Sequence, residues 1–221
     1  MSWDLVGEEF IEAIEEFFTS RSLLKQTNHM VIVLVPKTNH SSSVGEYRHI
    51  ACCNVFYKVI TKILSSRLRP ILGSIVDQAQ AVFVEGRSMR VAPRCLLKID
   101  LKKAYDSAYW NFLKNVLEGL QFPTTFIDWA MECITSPIYS IALNGSLHGF
   151  IKGRKGLRHG DPLSLFLFVL CLKYFSRMVK GAAENSEFIF HLKCAPLRIT
   201  YLAFANDLML FTIGDFMSIE I

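Results

Sequence analysis

The 221-residue sequence predicts an α+β fold with an antiparallel sheet. Its predicted helices do not alternate one by one with predicted strands. They come in groups that are followed by hairpin signals, which is typical of this class. An Asn-Gly dipeptide at 144–145 between two apolar runs is the strongest short-range hairpin signal. Apolar runs at 199–204 and 208–211 flank an Asn-Asp pair at 206–207, which predicts a second hairpin.

Composition sets limits on the class of protein. Hydrophobic residues make up 51% of the chain, so it can bury a sizeable core. The net charge of +4 permits a nucleic-acid partner without demanding one. The six cysteines show no zinc-site spacing, so we expect reduced thiols in a nuclear or cytoplasmic protein.

The sequence gives no sign of secretion or of a membrane partner. Its acidic start is unlike a signal peptide. The longest apolar stretch, Leu163–Leu172, contains Ser164 and is shorter than the about 20 residues that a bilayer requires. We therefore expect a protein that is not secreted and has no membrane partner.

The first elements are a helix, a strand and a loop. Apolar residues recur on one face of Val6–Phe18, which predicts an amphipathic helix. The β-branched run Met30–Val35 predicts a strand, and the serine-rich stretch Thr38–Gly45 predicts a loop. Lys37 and Arg48 bracket that loop.

A second amphipathic helix follows. Asn54 is a suitable N-cap, the pattern continues to about Leu68, and we expect Pro70 to limit the helix. The opposite face is basic and carries Lys58, Lys62, Arg67 and Arg69. Such a face is either simply solvated or contacts phosphate, and composition leaves both possibilities open.

The central and later elements follow the same logic. Cys95–Asp100 predicts a strand, and we expect Asp106 to cap the helix that follows. Phe126–Ile134 predicts another short helix. Asp161 and Pro162 are a favourable N-cap and first helical residue for a long apolar helix.

Two acidic residues lie where apolar runs end. Asp100 closes the predicted central strand, and Asp207 lies at the tip of the last hairpin. A carboxylate on a stiff apolar platform suits a metal ligand. The alternatives are an ordinary solvated Asn-Asp turn and a helix-cap or turn carboxylate at Asp100.

Five segments in a fixed order resemble the reverse transcriptase of non-LTR (LINE-type) retrotransposons, in the form abundant in plant genomes. The segments are YRHIACCNVFYKVITKILSSRL, AVFVEGRSM, LLKIDLKKAYDSAYW, GLRHGDPLSLFLFVLCL and ITYLAFANDLMLF. The resemblance implies the fingers and palm of a right-hand polymerase, with an antiparallel palm sheet, packed helices and no thumb. It places a fingers-type region at 1–93 and the palm region at 94–221.

The resemblance also implies a reaction and its ions. The activity would be RNA-directed DNA polymerisation from deoxynucleoside triphosphates on an RNA template and a DNA primer. Two Mg²⁺ ions, or Mn²⁺, would be held by Asp100, the Leu101 carbonyl and Asp207. One ion would activate the primer 3′-hydroxyl, and the other would hold the triphosphate and the leaving group.

Further roles follow from the same resemblance. Lys37 and Arg48 match finger residues that contact the triphosphate. Tyr105 matches the aromatic residue expected beneath the sugar, and His159 with Gly160 occupies the position beside the incoming nucleotide.

Departures from the family pattern predict an impaired copy. Asn206 replaces a catalytic aspartate, His159 replaces a glutamine and His49 replaces a proline. At an effective dielectric of about 20, a unit charge ~4 Å from a divalent ion is worth on the order of 8 kcal/mol before solvent compensation. A finger helix is missing after Met89, and the family's thumb and endonuclease are missing too, so we expect a truncated, degenerate copy that is weak or inactive.

The alternative is a non-catalytic nucleic-acid-binding remnant or a non-functional relic of the domain. The binding remnant would use a set of cations along the chain. These are Lys37, Arg48, Lys58, Lys62, Lys152, Arg154, Lys155 and Arg158.

Overall fold

The structure is a computed structural model that describes most of the chain. It covers residues 2–40, 42–76, 97–101, 103–184, 190, 194–195, 198–204 and 207–211, with the side chains of residues 2–5, 97, 100 and 204 left undescribed. The chain forms two compact units, Met1–Ser66 with Tyr105–Ser164 and Arg67–Ala104 with Leu165–Ile221. The predicted boundary between fingers and palm at 93/94, and the helix expected to be missing after Met89, fall outside the described residues and stay predictions.

Helices and strands alternate irregularly along the chain. In order they are α1 (Ser2–Ser20), β1 (His29–Pro36), a 3₁₀ turn (Val44–Glu46), β2 (Tyr47–Cys52), α2 (Val55–Ile75), β3 (Leu97–Asp100), α3 (Ala104–Ser107), α4 (Trp110–Gly119), α5 (Thr124–Thr135), β4 (Ile138–Leu143), β5 (Ser146–Lys152), α6 (Pro162–Ala183), β6 (Tyr201–Phe204) and β7 (Asp207–Leu210). The α+β class is confirmed, as are the predicted first helix, first strand, short helix α5, both hairpins and the long helix that begins at Pro162.

The first unit contains a four-stranded sheet in the order β2-β1-β4-β5. β1 pairs antiparallel with β2 but parallel with β4, so this sheet is mixed. The Asn144-Gly145 turn joins β4 to β5 with both residues at positive φ, 50° and 81°, as a type I′ hairpin requires. The parallel pair and the strand β2 are features that the sequence interpretation missed.

The second unit contains a three-stranded antiparallel sheet in the order β3-β7-β6. This sheet confirms the predicted antiparallel sheet and its terminal hairpin. Tyr201, Ala203 and Leu208 are buried in one cluster with Ile99 and residues of α6, and Cys194, Leu202 and Phe211 form another. The strands of the hairpin are therefore buried on both faces, which explains their continuous apolar runs.

The prediction that Pro70 limits the second helix is wrong, because α2 continues through Pro70 to Ile75. Proline inside a helix costs about 3 kcal/mol through a lost hydrogen bond and a steric clash. Leu68 and Leu72 are each 1% exposed and Val76 is 4% exposed, so the apolar stripe continues past the proline. Burying each leucine contributes about 1.5–3 kcal/mol, which is enough to offset that cost.

Asp106 does not cap the helix that follows it. It lies within the short helix α3, while α4 begins at Trp110 after Tyr109, which makes no side-chain cap. The prediction assumed one helix where the chain makes two.

Helix α6 is long and apolar enough to cross a membrane by length and composition. A core helix meets the same criteria, and Leu163, Leu167 and Leu170 are fully buried. Its N-cap prediction is confirmed, because the backbone N–H groups of Leu163 and Ser164 each donate to the Asp161 carboxylate at 3.3 Å.

Candidate active site

The two predicted acidic residues are register partners in the three-stranded sheet. Asp100 is the last residue of β3, Asp207 is the first residue of β7, and the two lie directly opposite each other across the antiparallel pair. Directly opposed positions in such a pair have Cβ atoms about 4.5–5.5 Å apart on one face. Residues separated by more than a hundred positions in the chain thus come together at one end of a sheet.

Apolar packing produces this register. Ile99 of β3 lies opposite Leu208 of β7, and Leu208 is only 4% exposed. A slip by one residue would move this buried set to the other face, so burial fixes the register strongly. The pairing of Asp100 with Asp207 is therefore set by the neighbouring core residues.

Asp207 also has a cationic neighbour that the sequence interpretation missed. The Lys98 Nζ lies 3.3 Å from Asp207 Oδ1, with side chains 59% and 37% exposed. At such exposure an ion pair contributes at most about 1 kcal/mol, so this contact can be exchanged. The sequence signal was the spacing, because Lys98 and Asp100 are two apart on a strand and share a face.

The donor set at this end of the sheet fits a hard divalent cation. Carboxylate and carbonyl oxygens are the ligands that Mg²⁺ prefers. The Leu101 carbonyl accepts a hydrogen bond from the Ala104 N–H at 3.1 Å, which uses one of its two lone pairs. Asn206 lies outside the described residues, so its predicted contribution stays a prediction.

A second group of predicted residues comes together in the first unit. The Tyr105 and His159 rings have centroids 4.9 Å apart, and the His49 and His159 centroids are 6.3 Å apart. His159 Nε2 lies 3.7 Å from Asp106 Oδ1, and both side chains are partly exposed. Burial raises the pKa of Tyr105, so its phenol is neutral at physiological pH.

Backbone contacts hold this group in place. The N–H of Leu157 donates to the Tyr105 carbonyl at 2.8 Å, and the N–H of Gly156 donates to the Ala108 carbonyl at 2.7 Å. A Cβ on Gly156 would lie 3.2 Å from backbone atoms of Asp106, and its φ is +97°. Only glycine permits this close approach, which brings the segment that leads to His159 against α3.

Lys37 and Arg48 lie at the β1–β2 connection. Both side chains are exposed, and Lys37 Nζ donates to the Gly45 carbonyl at 2.8 Å. Backbone N–H groups of Ser42 and Ser43 donate to the Glu46 carboxylate and lower its pKa. These bonds order the loop that the two cations bracket, and both stay predictions as triphosphate contacts.

Arg158 is a correction to the predicted set of nucleic-acid-binding cations, because it is only 6% exposed. Its Nη2 donates to Asn28 Oδ1 at 2.5 Å and to the Cys133 carbonyl at 3.2 Å. Its guanidinium lies 4.0 Å from the centroid of the Tyr57 ring. A buried guanidinium with internal partners is unsuited to binding a phosphate backbone.

The same network buries a carboxylate. Asp161 is 4% exposed and accepts hydrogen bonds from the Tyr57 hydroxyl at 3.2 Å and the Ser164 hydroxyl at 2.8 Å. Burial, followed by the negative charge of Asp161, raises the pKa of Tyr57 well above its usual value. Asp161 thus anchors the start of α6 as well as capping it, directly after the His159-Gly160 segment.

Comparison with known proteins is informative for most of the chain. A family model described as reverse transcriptase (RNA-dependent DNA polymerase) matches residues 35–215. The chain is 24% identical over 94% of its length to a transposon TX1 uncharacterized 149 kDa protein of Xenopus laevis, covering 17% of that protein. It is also 24% identical over 79% of its length to a retrovirus-related Pol polyprotein from the type-1 retrotransposable element R2 of Bradysia coprophila, covering 21% of that protein.

A plant relative matches a shorter segment. It is an uncharacterized mitochondrial protein of Arabidopsis thaliana, 36% identical over 29% of this chain and 54% of the relative. The chain spans about a fifth of the length of the transposon and R2 proteins that it matches.

Proposed function

The chain belongs to the reverse transcriptase (RNA-dependent DNA polymerase) family and is a non-LTR, R2- and TX1-like domain, and from this premise we propose that it is the polymerase domain of such a retroelement. Its substrates would be an RNA template, a DNA primer and deoxynucleoside triphosphates. The observation that carries the proposal is the direct cross-strand pairing of Asp100 with Asp207.

We propose roles for residues of each unit taken by itself. Asp100, Asp207 and the Leu101 carbonyl would hold two divalent ions, which supply Lewis-acid activation of the primer hydroxyl and stabilise the leaving group. In the absence of a cation, Lys98 would partly offset the negative charge of Asp207. Tyr105 and His159 would orient the sugar and base of the nucleotide, and Lys37 and Arg48 would hold its phosphates.

We further propose that this copy is catalytically impaired and degenerate. Asn206 removes one negative charge from the ion site, and His159 replaces a neutral amide beside the nucleotide. The lost charge is worth on the order of 8 kcal/mol before solvent compensation. Losing even half of that in the transition state would slow the chemical step roughly a thousandfold. The similarity to the Arabidopsis protein supports a plant origin, and we propose a nuclear or cytoplasmic location.

Primer extension tests the proposal. An RNA template with an annealed DNA primer is incubated with Mg²⁺ or Mn²⁺ and the wild-type protein, Asn206→Asp, or Asn206→Asp with His159→Gln. We expect little extension by the wild type and a large gain with Asn206→Asp. Addition of Asp207→Asn to the restored protein should abolish the gain, and extension that survives this change would contradict the assignment.

A second candidate function is nucleic-acid binding without catalysis. It is favoured by the exposed cations Lys58, Lys62, Lys152, Arg154 and Lys155. Binding through phosphates releases counterions, so affinity for a primer–template should fall steeply with salt. Binding without salt dependence would count against this function, and absence of extension by every restored variant would favour it over polymerisation.

A further inference from the structure

The edge strand β5 presents an aromatic ring to solvent. Every residue of β5 is exposed, and Phe150 is 82% exposed, far more than an aromatic residue on a sheet usually is. Among the described strands, β5 is at the edge of the sheet and pairs with β4, so its outer edge faces away from the other strands of that sheet. This exposed ring is a candidate contact for another molecule.

A bulge in β5 aims the ring outward. The register between β4 and β5 shifts between Tyr139 and Ile141, so that two residues, Gly149 and Phe150, lie opposite the single residue Ser140. Gly149 has a φ of +75°, the left-handed conformation typical of a glycine bulge. Bulges of this kind redirect a side chain, and here the redirected side chain is Phe150.

Side-chain contacts fix the bulge and one face of the ring. The Ser140 hydroxyl donates to the Gly149 carbonyl at 2.5 Å, and His29 Nε2 lies 2.8 Å from the Ser140 oxygen. The His29 ring stacks on Phe150 with centroids 5.4 Å apart and planes 20° from parallel. His29 thus covers one face of the Phe150 ring, and the high exposure of Phe150 leaves the other face accessible to a ligand.

The sequence around Phe150 is positively charged. The sequence from 133 to 160 contains no aspartate or glutamate but includes Lys152, Arg154 and Lys155, all of which are exposed. Lys155 Nζ lies 5.0 Å from the centroid of the Tyr109 ring, and Tyr109 is 64% exposed. Exposed aromatic rings among cations are the combination that binds single-stranded nucleic acid, through base stacking and phosphate contacts.

We propose that Phe150, supported by His29, is a stacking platform for a base of a single-stranded nucleic acid whose backbone runs along Lys152, Arg154 and Lys155. The inference rests on the proposed function, which identifies this single strand as the RNA template ahead of synthesis. The platform lies wholly within the first unit and requires neither metal nor catalysis.

Binding of a fluorescein-labelled single-stranded RNA of about 16 nucleotides, followed by anisotropy in EDTA, tests the platform. Phe150→Ala should weaken binding about 5- to 150-fold, the effect of losing one stacked base. Phe150→Trp should retain affinity, and its indole emission should be quenched when RNA binds. Leu147→Ala, which shortens an exposed aliphatic side chain on the same strand, is the matched control and should bind like the wild type.

The results separate this inference from the proposed function. Because EDTA removes the ions, loss of binding in Phe150→Ala supports the platform even if no variant extends a primer. Equal affinity of wild type and Phe150→Ala, or an equal loss in Leu147→Ala, would overturn it. A change in oligomeric state of Phe150→Ala in analytical ultracentrifugation, without a change in RNA affinity, would identify β5 as a protein interface instead and also overturn it.

Discussion

Arg158→Met tests whether this guanidinium is structural. The residue is 6% exposed, and its Nη2 holds Asn28, which is itself 1% exposed. The substitution retains an unbranched apolar chain but removes the charge, the hydrogen bonds to Asn28 and Cys133, and the cation–π contact with Tyr57. Removing one member of a buried charged network typically costs about 3–5 kcal/mol, and here Asn28 Oδ1 would stay buried without the Arg158 donor.

The magnitude is large against the total stability of a domain, about 5–15 kcal/mol. For a chain of this size it corresponds to a fall in melting temperature of roughly 6–20 °C. Thermal unfolding followed by circular dichroism measures it, with the exposed Arg154→Met as the control that should change stability by less than about 0.5 kcal/mol. The reasoning is refuted if Arg158→Met melts like the wild type while its nucleic-acid affinity loses salt dependence.

Three further predictions follow from other features. Pro70→Ala should stabilise the protein by about 1–3 kcal/mol, because Pro70 is exposed and the change restores a helical hydrogen bond in α2. A urea unfolding midpoint lower than that of the wild type would show that the proline is required there. Gly156→Ala should lower the free energy of unfolding in urea by about 1–3 kcal/mol, because the residue has a φ of +97° and the new Cβ would contact Asp106. Gly119→Ala is the control and should not lower the stability, because the space around Gly119 is open. Equal effects of the two substitutions would contradict the close approach at Gly156. Burial raises the pKa of Cys171 to about 12, so the folded state favours the neutral thiol. This contribution to stability is complete below about pH 9 and is lost as the pH rises toward 12. Cys171→Ala should therefore flatten the loss of stability above pH 9, and an unchanged alkaline profile would exclude this thiol as the source of that loss.

Local sequence signals predicted the elements whose pattern is self-contained. The type I′ hairpin followed from Asn144-Gly145, and the start of α6 followed from Asp161-Pro162, because turn and cap chemistry depend on adjacent residues. The terminal hairpin was readable because burial on both faces gives continuous apolar runs. Asp207, which was expected at the tip of this hairpin, is the first residue of β7.

Features that depend on distant partners were not readable. β2 was missed because four of its six residues are exposed and its sequence, YRHIAC, shows no alternation of apolar and polar residues. The burial of Arg158 depends on Asn28 and Tyr57, each about a hundred or more positions away in sequence. Pro70 was judged by local propensity, which long-range burial overrides.

The candidate site divides in the same way. The resemblance indicated Asp100 and Asp207, and the sheet register then brought them opposite each other. Lys98 was overlooked because its partner Asp207 lies on another strand. The cluster of His49, His159 and Asp106 could not be predicted from the sequence. It forms because Gly156 lies close to α3, and no local pattern indicates that contact.

Iron-mediated cleavage tests the central claim most directly, namely that Asp100 and Asp207 share one cation site. Fe²⁺ bound in place of Mg²⁺, with ascorbate and peroxide, generates radicals that cut the backbone near the metal. We predict cuts in both segments, around 97–104 and around 201–210, that Mg²⁺ competes away and Asp207→Asn removes at both places. Cuts at only one segment, or cuts that persist at residue 100 in Asp207→Asn, would contradict the shared site.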